Sequence, residues 1–146
     1  MKKFCFLWMI LTLAVCPGCS GLHGSAGTSP VSLENTDWKL VGLRGKEIFI
    51  QSGRQTPLLR LMSAEGRVVG HGGCNRFFGG YTLEGDRLRF SALGSTKMAC
   101  PGDISDLEDA FFNALGSARR FKLSGDVLEV FGDTEMLARF TAVRGM

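Results

Sequence analysis

The chain has 146 residues, with 17 lysines and arginines against 14 aspartates and glutamates, for a net charge of +3. A length of this order builds one modest core and not two. The near balance of charge, with no basic stripe along the sequence, argues against a nucleic-acid-binding protein.

Met1-Lys2-Lys3 is a short positive start, and the apolar run from Phe4 to Val15 follows it. That run is too short to cross a bilayer as a permanent helix and has the length of a signal-peptide core. The next residues are CPGCSG. A bacterial lipoprotein signal ends with a small residue before the cysteine that becomes the acylated N-terminus. Gly18 precedes Cys19, whereas the bulkier Val15 precedes Cys16, so Cys19 is the expected lipidation site and residues 1–19 the signal peptide. Pro17 and Cys16 depart from the usual box, and a plain secretory signal with an incidental cysteine is the alternative. Acyl chains stabilise the membrane-bound state by about 0.8 kcal/mol per buried CH₂, so several of them tether the protein firmly. Ser20 stands where an aspartate would signal inner-membrane retention, which points to the outer membrane with the domain facing the periplasm. Without Lys2 and Lys3 the charge falls from +3 to +1. Residues 20–32, SGLHGSAGTSPVS, are small and polar and read as a flexible tether.

The folded domain is expected over residues 33–143. Asp37 to Leu43 reads as a strand with Trp38 as a core anchor, followed by an apolar piece from Glu47 to Ile50. Pro57 to Met62 and Arg67 to Gly70 read as a hairpin around Ala64-Glu65-Gly66. HGGCNRFFGGY, from His71 to Tyr81, then breaks the pattern. Glycine at the density of Gly70, Gly72, Gly73, Gly79 and Gly80 implies positive φ or a close approach by another segment. Glu84-Gly85-Asp86 marks a second hairpin, and Arg87 to Leu93 alternates with Leu88, Phe90 and Ala92 inward. After STKMACP the period changes. Ser105 and Glu108 form a capping-box pattern, and Leu107, Ala110, Phe111, Ala114, Leu115 and Ala118 recur at helical spacing, which predicts a helix over 106–118. Arg119 and Arg120 suit its C-terminal dipole. Strands return at 121–123, 127–131 and 136–143, separated by Ser124-Gly125-Asp126 and Gly132-Asp133-Thr134. Strands, one amphipathic helix, then strands make an α+β fold, a strongly curved, open-barrel-like antiparallel sheet wrapped around the helix.

TDWKL, GCNRFFGGY, RFSALGSTKMAC, LEDAFFNAL and LEVFG together resemble the META domain of the HslJ family of bacterial lipoproteins. The resemblance covers nearly all of residues 33–143. Its most specific part is the pairing of Gly73, Cys74, Asn75, Phe77, Gly79 and Tyr81 with Ser95, Thr96, Met98 and Cys100 about twenty residues later. It implies antiparallel strands around a helix, a cell-envelope location, and a link to stress response or antibiotic tolerance in some members. It brings no established catalytic mechanism, ligand or cofactor.

Cys74 and Cys100 are the cysteines left once the signal peptide and Cys19 are set aside. An exported protein meets an oxidising compartment, and pairing the remainder favours a Cys74–Cys100 disulfide. Such a bond closes a loop of about 27 residues, worth roughly 3–4 kcal/mol on the loop-entropy model. Two buried thiols, or a reactive or metal-bound pair, are the alternatives. His71 lies three residues before Cys74, but only a loop would bring a base that close to a nucleophile. A zinc site from His71, Cys74 and Cys100 has no evident fourth ligand. Asn75 is expected to serve the local turn and Met98 to plug the core; Phe77 and Phe78 point opposite ways if extended, so one belongs in the core and the other is expected at least partly buried, with a partner surface as the alternative. Thr96 and Lys97 are placed to hydrogen-bond the glycine stretch, with Lys97 a weak ligand-site candidate. Asp103, Asp106, Glu108 and Asp109 read as helix capping and dipole complementarity. With no phosphate loop, catalytic triad or paired-carboxylate site, the expectation is a non-enzymatic envelope lipoprotein that binds or stabilises another envelope component. A thiol-redox protein using Cys74 and Cys100, or a carrier of a small apolar ligand, are the alternatives.

Overall fold

The computed structural model describes residues 31–144, so the expected signal peptide, Cys19 and the tether as far as residue 30 lie outside the described residues. Alternating side chains and positive-φ glycines generate nearly all of the architecture. Strands β1 (Asp37–Leu43), β2 (Lys46–Glu47), β3 (Leu58–Met62), β4 (Arg67–His71), β5 (Arg76–Glu84) and β6 (Arg87–Ser95) precede helix α1 (Gly102–Gly116). Strands β7 (Arg120–Ser124), β8 (Val127–Phe131) and β9 (Met136–Ala142) follow it. Gly66, Gly85 and Gly125 take φ near +60° in the β3–β4, β5–β6 and β7–β8 turns, a region that costs glycine little.

All neighbouring strands are antiparallel, in the order β2-β1-β3-β4-β5-β6-β7-β8-β9, and β1 also pairs with β9. That last pairing closes the sheet into a ring-like arrangement. The ring has one narrow seam. β6 and β7 share a single register pair, Arg87 with Arg120, flanked by Leu88 N–H to Arg119 O and Phe121 N–H to Asp86 O. Beyond that seam α1 packs mainly on β6, with further contacts to β9 and β1. The helix thus stands where β6 parts from β7, and its apolar stripe completes the core. Trp38, Leu40, Leu59, Phe111, Leu115, Leu128 and Phe140 are fully buried there. Trp38 donates its indole N–H to Leu33 O at 2.8 Å, so its polar atom is satisfied inside the core. Among the described residues no helix is long and apolar enough to cross a membrane.

Several expectations change. The stretch from Arg76 to Tyr81, which breaks the alternation in sequence, is the first part of the nine-residue β5. Its glycines remove side chains where chains press together: a Cβ on Gly79 would lie 2.8 Å from Ser91 O and from Leu93 Cδ2. Ala92 does not point inward. It is exposed at φ +48°, in a bulge where the β5–β6 register shifts, and it hands the inward position to Leu93. Of the apolar piece from Glu47 to Ile50 only Glu47 is strand, in the two-residue β2, and Phe49 is 85% exposed. The helix begins four residues earlier than the capping-box pattern predicts, directly after Pro101, with no side-chain cap. It ends at Gly116, so Arg119 lies beyond it and Arg120 opens β7.

Gly70 is the tightest of these approaches. A Cβ there would overlap the Leu58 carbonyl oxygen and sit 2.8 Å from Phe77 Cε1. Gly70→Ala is therefore expected to destabilise the fold by about 2 kcal/mol or more, because backbone on the neighbouring strand cannot yield. Gly102→Ala, where a Cβ meets nothing, stays within about 0.5 kcal/mol. Urea denaturation midpoints of the two variants test this, and equal midpoints would contradict the packing argument.

Candidate functional site

The distinctive residues meet at one end of α1. The turn from Gly72 to Asn75 joins β4 to β5, and the segment from Thr96 to Pro101 joins β6 to α1. Cys74 and Cys100 are disulfide-bonded across these two segments, with Cα atoms 6.3 Å apart. The bond encloses Arg76 to Ser95, the whole β5–β6 hairpin, and pins its open end to the helix start.

Beside the disulfide lies a buried polar network that turns on Glu108. Glu108 is only 6% exposed, and Asn75 only 5%. The Glu108 Oε2 atom accepts the Asn75 N–H at 2.7 Å and the Cys74 N–H at 3.3 Å, and Oε1 accepts Asn75 Nδ2–H at 2.7 Å. Asn75 Oδ1 in turn accepts the Met98 N–H at 2.8 Å and the Thr96 hydroxyl at 2.9 Å. Thr96 Oγ1 also accepts the Arg76 N–H at 3.2 Å. Helix, turn and linker are joined through two side chains. Gly72 makes this possible, since a Cβ there would stand 2.6 Å from Glu108 Cγ. Gly73, at φ +116°, turns the backbone so that successive N–H groups face the carboxylate.

Glu108 is therefore not the partner of a capping box, and Asn75 does not serve its own turn. Both reach across sequence distances of 21 to 34 residues. The signal for Glu108 is present in the periodicity: 108, 111 and 115 share one helix face with two fully buried residues, Phe111 and Leu115. A carboxylate on that stripe needs buried donors, and the glycine-rich turn supplies them. Of the remaining acidic residues only Asp103 lies in the first helical turn. It pairs with Arg54, which holds its carboxyl below the usual carboxylate range. Asp106 and Asp109 are exposed.

Phe77 is buried and meets Phe111 and Phe112 edge-on, with ring centroids at 5.8 and 5.4 Å. Phe78, contrary to expectation, is 51% exposed and lies over Gly94, because adjacent strand residues face opposite ways. Met98 does not plug the core either. It is 59% exposed, since its own backbone N–H is held by Asn75 and the side chain is left outside. Ser95 ends β6 opposite Phe77. Lys97 lines a surface cleft of about 350 Å³ between the end of β6 and α1, with Leu93, Gly94, Phe112 and Asn113. Tyr81 lies away from this cluster and donates its hydroxyl to Glu34. His71 is partly buried with Nδ1 unpartnered; burial and then Arg76 lower its pKa, and Glu108 opposes them. Among the described residues no three His, Cys, Asp or Glu side chains converge as a metal site.

A ring of antiparallel strands completed by one helix, pinned by a disulfide and a buried Asn–Glu pair, defines a small β-rich module. The META domain profile matches residues 31–144, and the chain belongs to that family. No curated protein matches the chain. Among solved structures it is similar to an NMR structure of a protein from Burkholderia xenovorans, with TM-score 0.64 and 24% identity over 89% of this chain and 100% of that one. It is also similar to a crystal structure of a DUF4847-family protein from Bacteroides vulgatus, with TM-score 0.55 and 12% identity over 78% of this chain and 96% of the other. At these identities the two structures speak to the fold alone.

The polarity of the Asn75–Glu108 contact yields a swap experiment. Glu108→Gln turns an amide N–H₂ toward Asn75 Nδ2, two donors facing each other, and is expected to cost about 2–3 kcal/mol. Asn75→Asp alone sets two carboxylates together and costs at least as much. The double variant again places a donor opposite an acceptor, and about half of the summed loss or more should return. A thermodynamic cycle from denaturation curves measures this coupling, and simple additivity would contradict the geometry.

Tyr81 is the only tyrosine of the chain, so its phenol can be titrated alone. Partial burial, and then the Glu34 hydrogen bond and charge, push it up to about 12. The raised value means that the neutral phenol is favoured by the folded state. That contribution is intact below about pH 10 and is lost as pH rises toward 12. Absorbance at 295 nm, followed with circular dichroism to report the fold, should show little ionisation at the ordinary phenol value and a lower midpoint in Glu34→Ala.

Proposed function

We propose that this is a lipid-anchored envelope protein whose META domain is a non-enzymatic binding module, holding or stabilising another envelope component during stress or antibiotic exposure. The anchoring half of the reading rests on Gly18-Cys19-Ser20 after the apolar run, and on the small polar tether behind it. Ser20 favours the outer membrane, with the domain on the periplasmic side.

The observation that carries the binding reading is the inward commitment of the motif's chemistry. The two sulfurs are bonded to each other, and Asn75, Glu108 and Thr96 spend their hydrogen bonds on each other and on backbone. Beside the exposed Arg76 and Lys97, the same motif turns two large apolar side chains outward. Phe78 and Met98 are more than half exposed, and the cleft beside Leu93, Gly94 and Phe112 has Lys97 at its edge. Large exposed apolar side chains beside a cleft suit a protein partner that offers an apolar anchor and a carboxylate. A thiol-redox role would instead require the Cys74–Cys100 bond to open. Carriage of a small apolar ligand would have to use this surface cleft, since Trp38, Phe111 and Phe140 occupy the ring interior.

Complementation in a host lacking the gene tests the reading. Deletion should sensitise cells to heat or envelope-directed drugs, and the unaltered chain should restore tolerance. Phe78→Ser should fold normally and fail to restore it. A Cys74→Ser, Cys100→Ser double variant should restore it wherever it remains folded. Full rescue by Phe78→Ser would remove this face as the binding surface. Failure of a folded cysteine variant would favour redox chemistry, and a deletion without phenotype would remove the physiological setting.

A further inference from the structure

At the opposite end of β6 from Phe78's partner Gly94, the narrow β6–β7 seam assembles a second surface that the sequence does not advertise. Arg87 and Arg89 leave β6 on the solvent side, while Arg119 and Arg120 arrive where the chain returns from α1. The four line a cleft of about 250 Å³ together with Gly132 and Asp133. Its lining holds four arginines and Asp133, with Glu84 opposite Arg87 on β5 and Glu135 beside Gly132 at the margin. Among the described residues none of the four is in an ion pair, although arginines elsewhere on the surface are, such as Arg60 with Asp37 and Arg139 with Glu47.

The fold itself uses little of this charge. Arg87 and Arg120 are direct register partners, an arrangement in which like charges oppose strand pairing. Arg120 gains a ring contact, its Cζ lying 5.8 Å from the centre of Phe131. Arg119 donates one Nη1–H to Ala118 O at 2.9 Å. The remaining donors stay available for an outside group. Guanidinium forks match oxyanions two bonds at a time, and four converging on one cleft call for more than one negative charge.

We propose that this arginine cleft binds a phosphate-bearing anion, supplied either free or as a lipid headgroup. The site is built by the sheet seam and is independent of the apolar face at Phe78.

The test is calorimetric titration of the full chain, in neutral detergent at low salt, with inorganic pyrophosphate and with glycerol phosphate as the headgroup fragment. Saturable binding of one equivalent is expected. Tighter binding of pyrophosphate identifies a free anion, and equal or tighter binding of glycerol phosphate identifies a headgroup. The double variant Arg87→Gln, Arg120→Gln should weaken binding about a hundredfold, about tenfold for each guanidinium removed. Lys39→Gln, Lys46→Gln removes the same charge from exposed positions on β1 and β2 and should weaken it less than about threefold, as expected for diffuse attraction alone. The arginine variant should melt no lower than the parent, because it relieves a like-charge pair. Absence of binding by both probes would overturn the proposal. So would equal weakening in the two double variants, or a melting point several degrees lower in the arginine variant, which would mean that the arginines hold the seam instead.

Discussion

A single carboxylate holds the two unusual segments of this chain against its helix. Glu108 is buried among apolar neighbours, where an unpaired polar group would cost several kcal/mol. It is tolerated because two backbone N–H groups and the Asn75 amide converge on it. Those donors exist only if the turn from Gly72 to Asn75 takes one conformation. Gly72 must lack a side chain for the carboxylate to fit, and Gly73 must hold a positive φ. The constraint then runs outward. Asn75 uses its other end on Thr96 and Met98, so the linker before α1 is positioned by the same pair.

The disulfide works on a different part of the free energy. A covalent link between Cys74 and Cys100 chiefly restricts the unfolded chain, by roughly 3–4 kcal/mol for a loop of this size. The Asn75–Glu108 network acts on the folded state, selecting how the joined segments lie. Together they fasten the free end of a long hairpin to the helix at the place where the sheet is least supported, since β6 has only one register pair with β7. The same weak seam leaves the arginine cleft exposed at its far end. The two surfaces with something to offer a partner, apolar at Phe78 and basic at Arg87, thus lie toward opposite ends of β6.

Much of the fold was legible because its signals are local. The alternation from Asp37 to Leu43 predicts a strand, and β1 spans the same residues. The turns at Gly66, Gly85 and Gly125 follow from the need for positive φ. The helix was legible from its stripe, but its start was not, because Ser105 and Glu108 imitate a capping box while Pro101 sets the actual boundary. Ala92 was misplaced because a bulge shifts the alternation in mid-strand, and nothing in RLRFSAL marks it. Hydrophobicity favours burial of Met98 and Phe78, although an extended backbone already sets Phe78 opposite Phe77. Their exposure is decided by a backbone bond to Asn75 in one case and by strand parity in the other.

Local patterns along the chain carry the periodicities, the turn positions, the family, and the expectation that the two cysteine segments matter. Each of these depends on residues a few positions apart, or on a motif that can be read directly. The tertiary structure alone decided the ring closure through β1 and β9, the partners of Glu108 and Asn75, and the convergence of four arginines from two strand ends. Those contacts join residues tens of positions apart. Their choice is made by which segments can be desolvated together with every buried donor and acceptor satisfied, a condition on the whole packed chain that no local pattern contains.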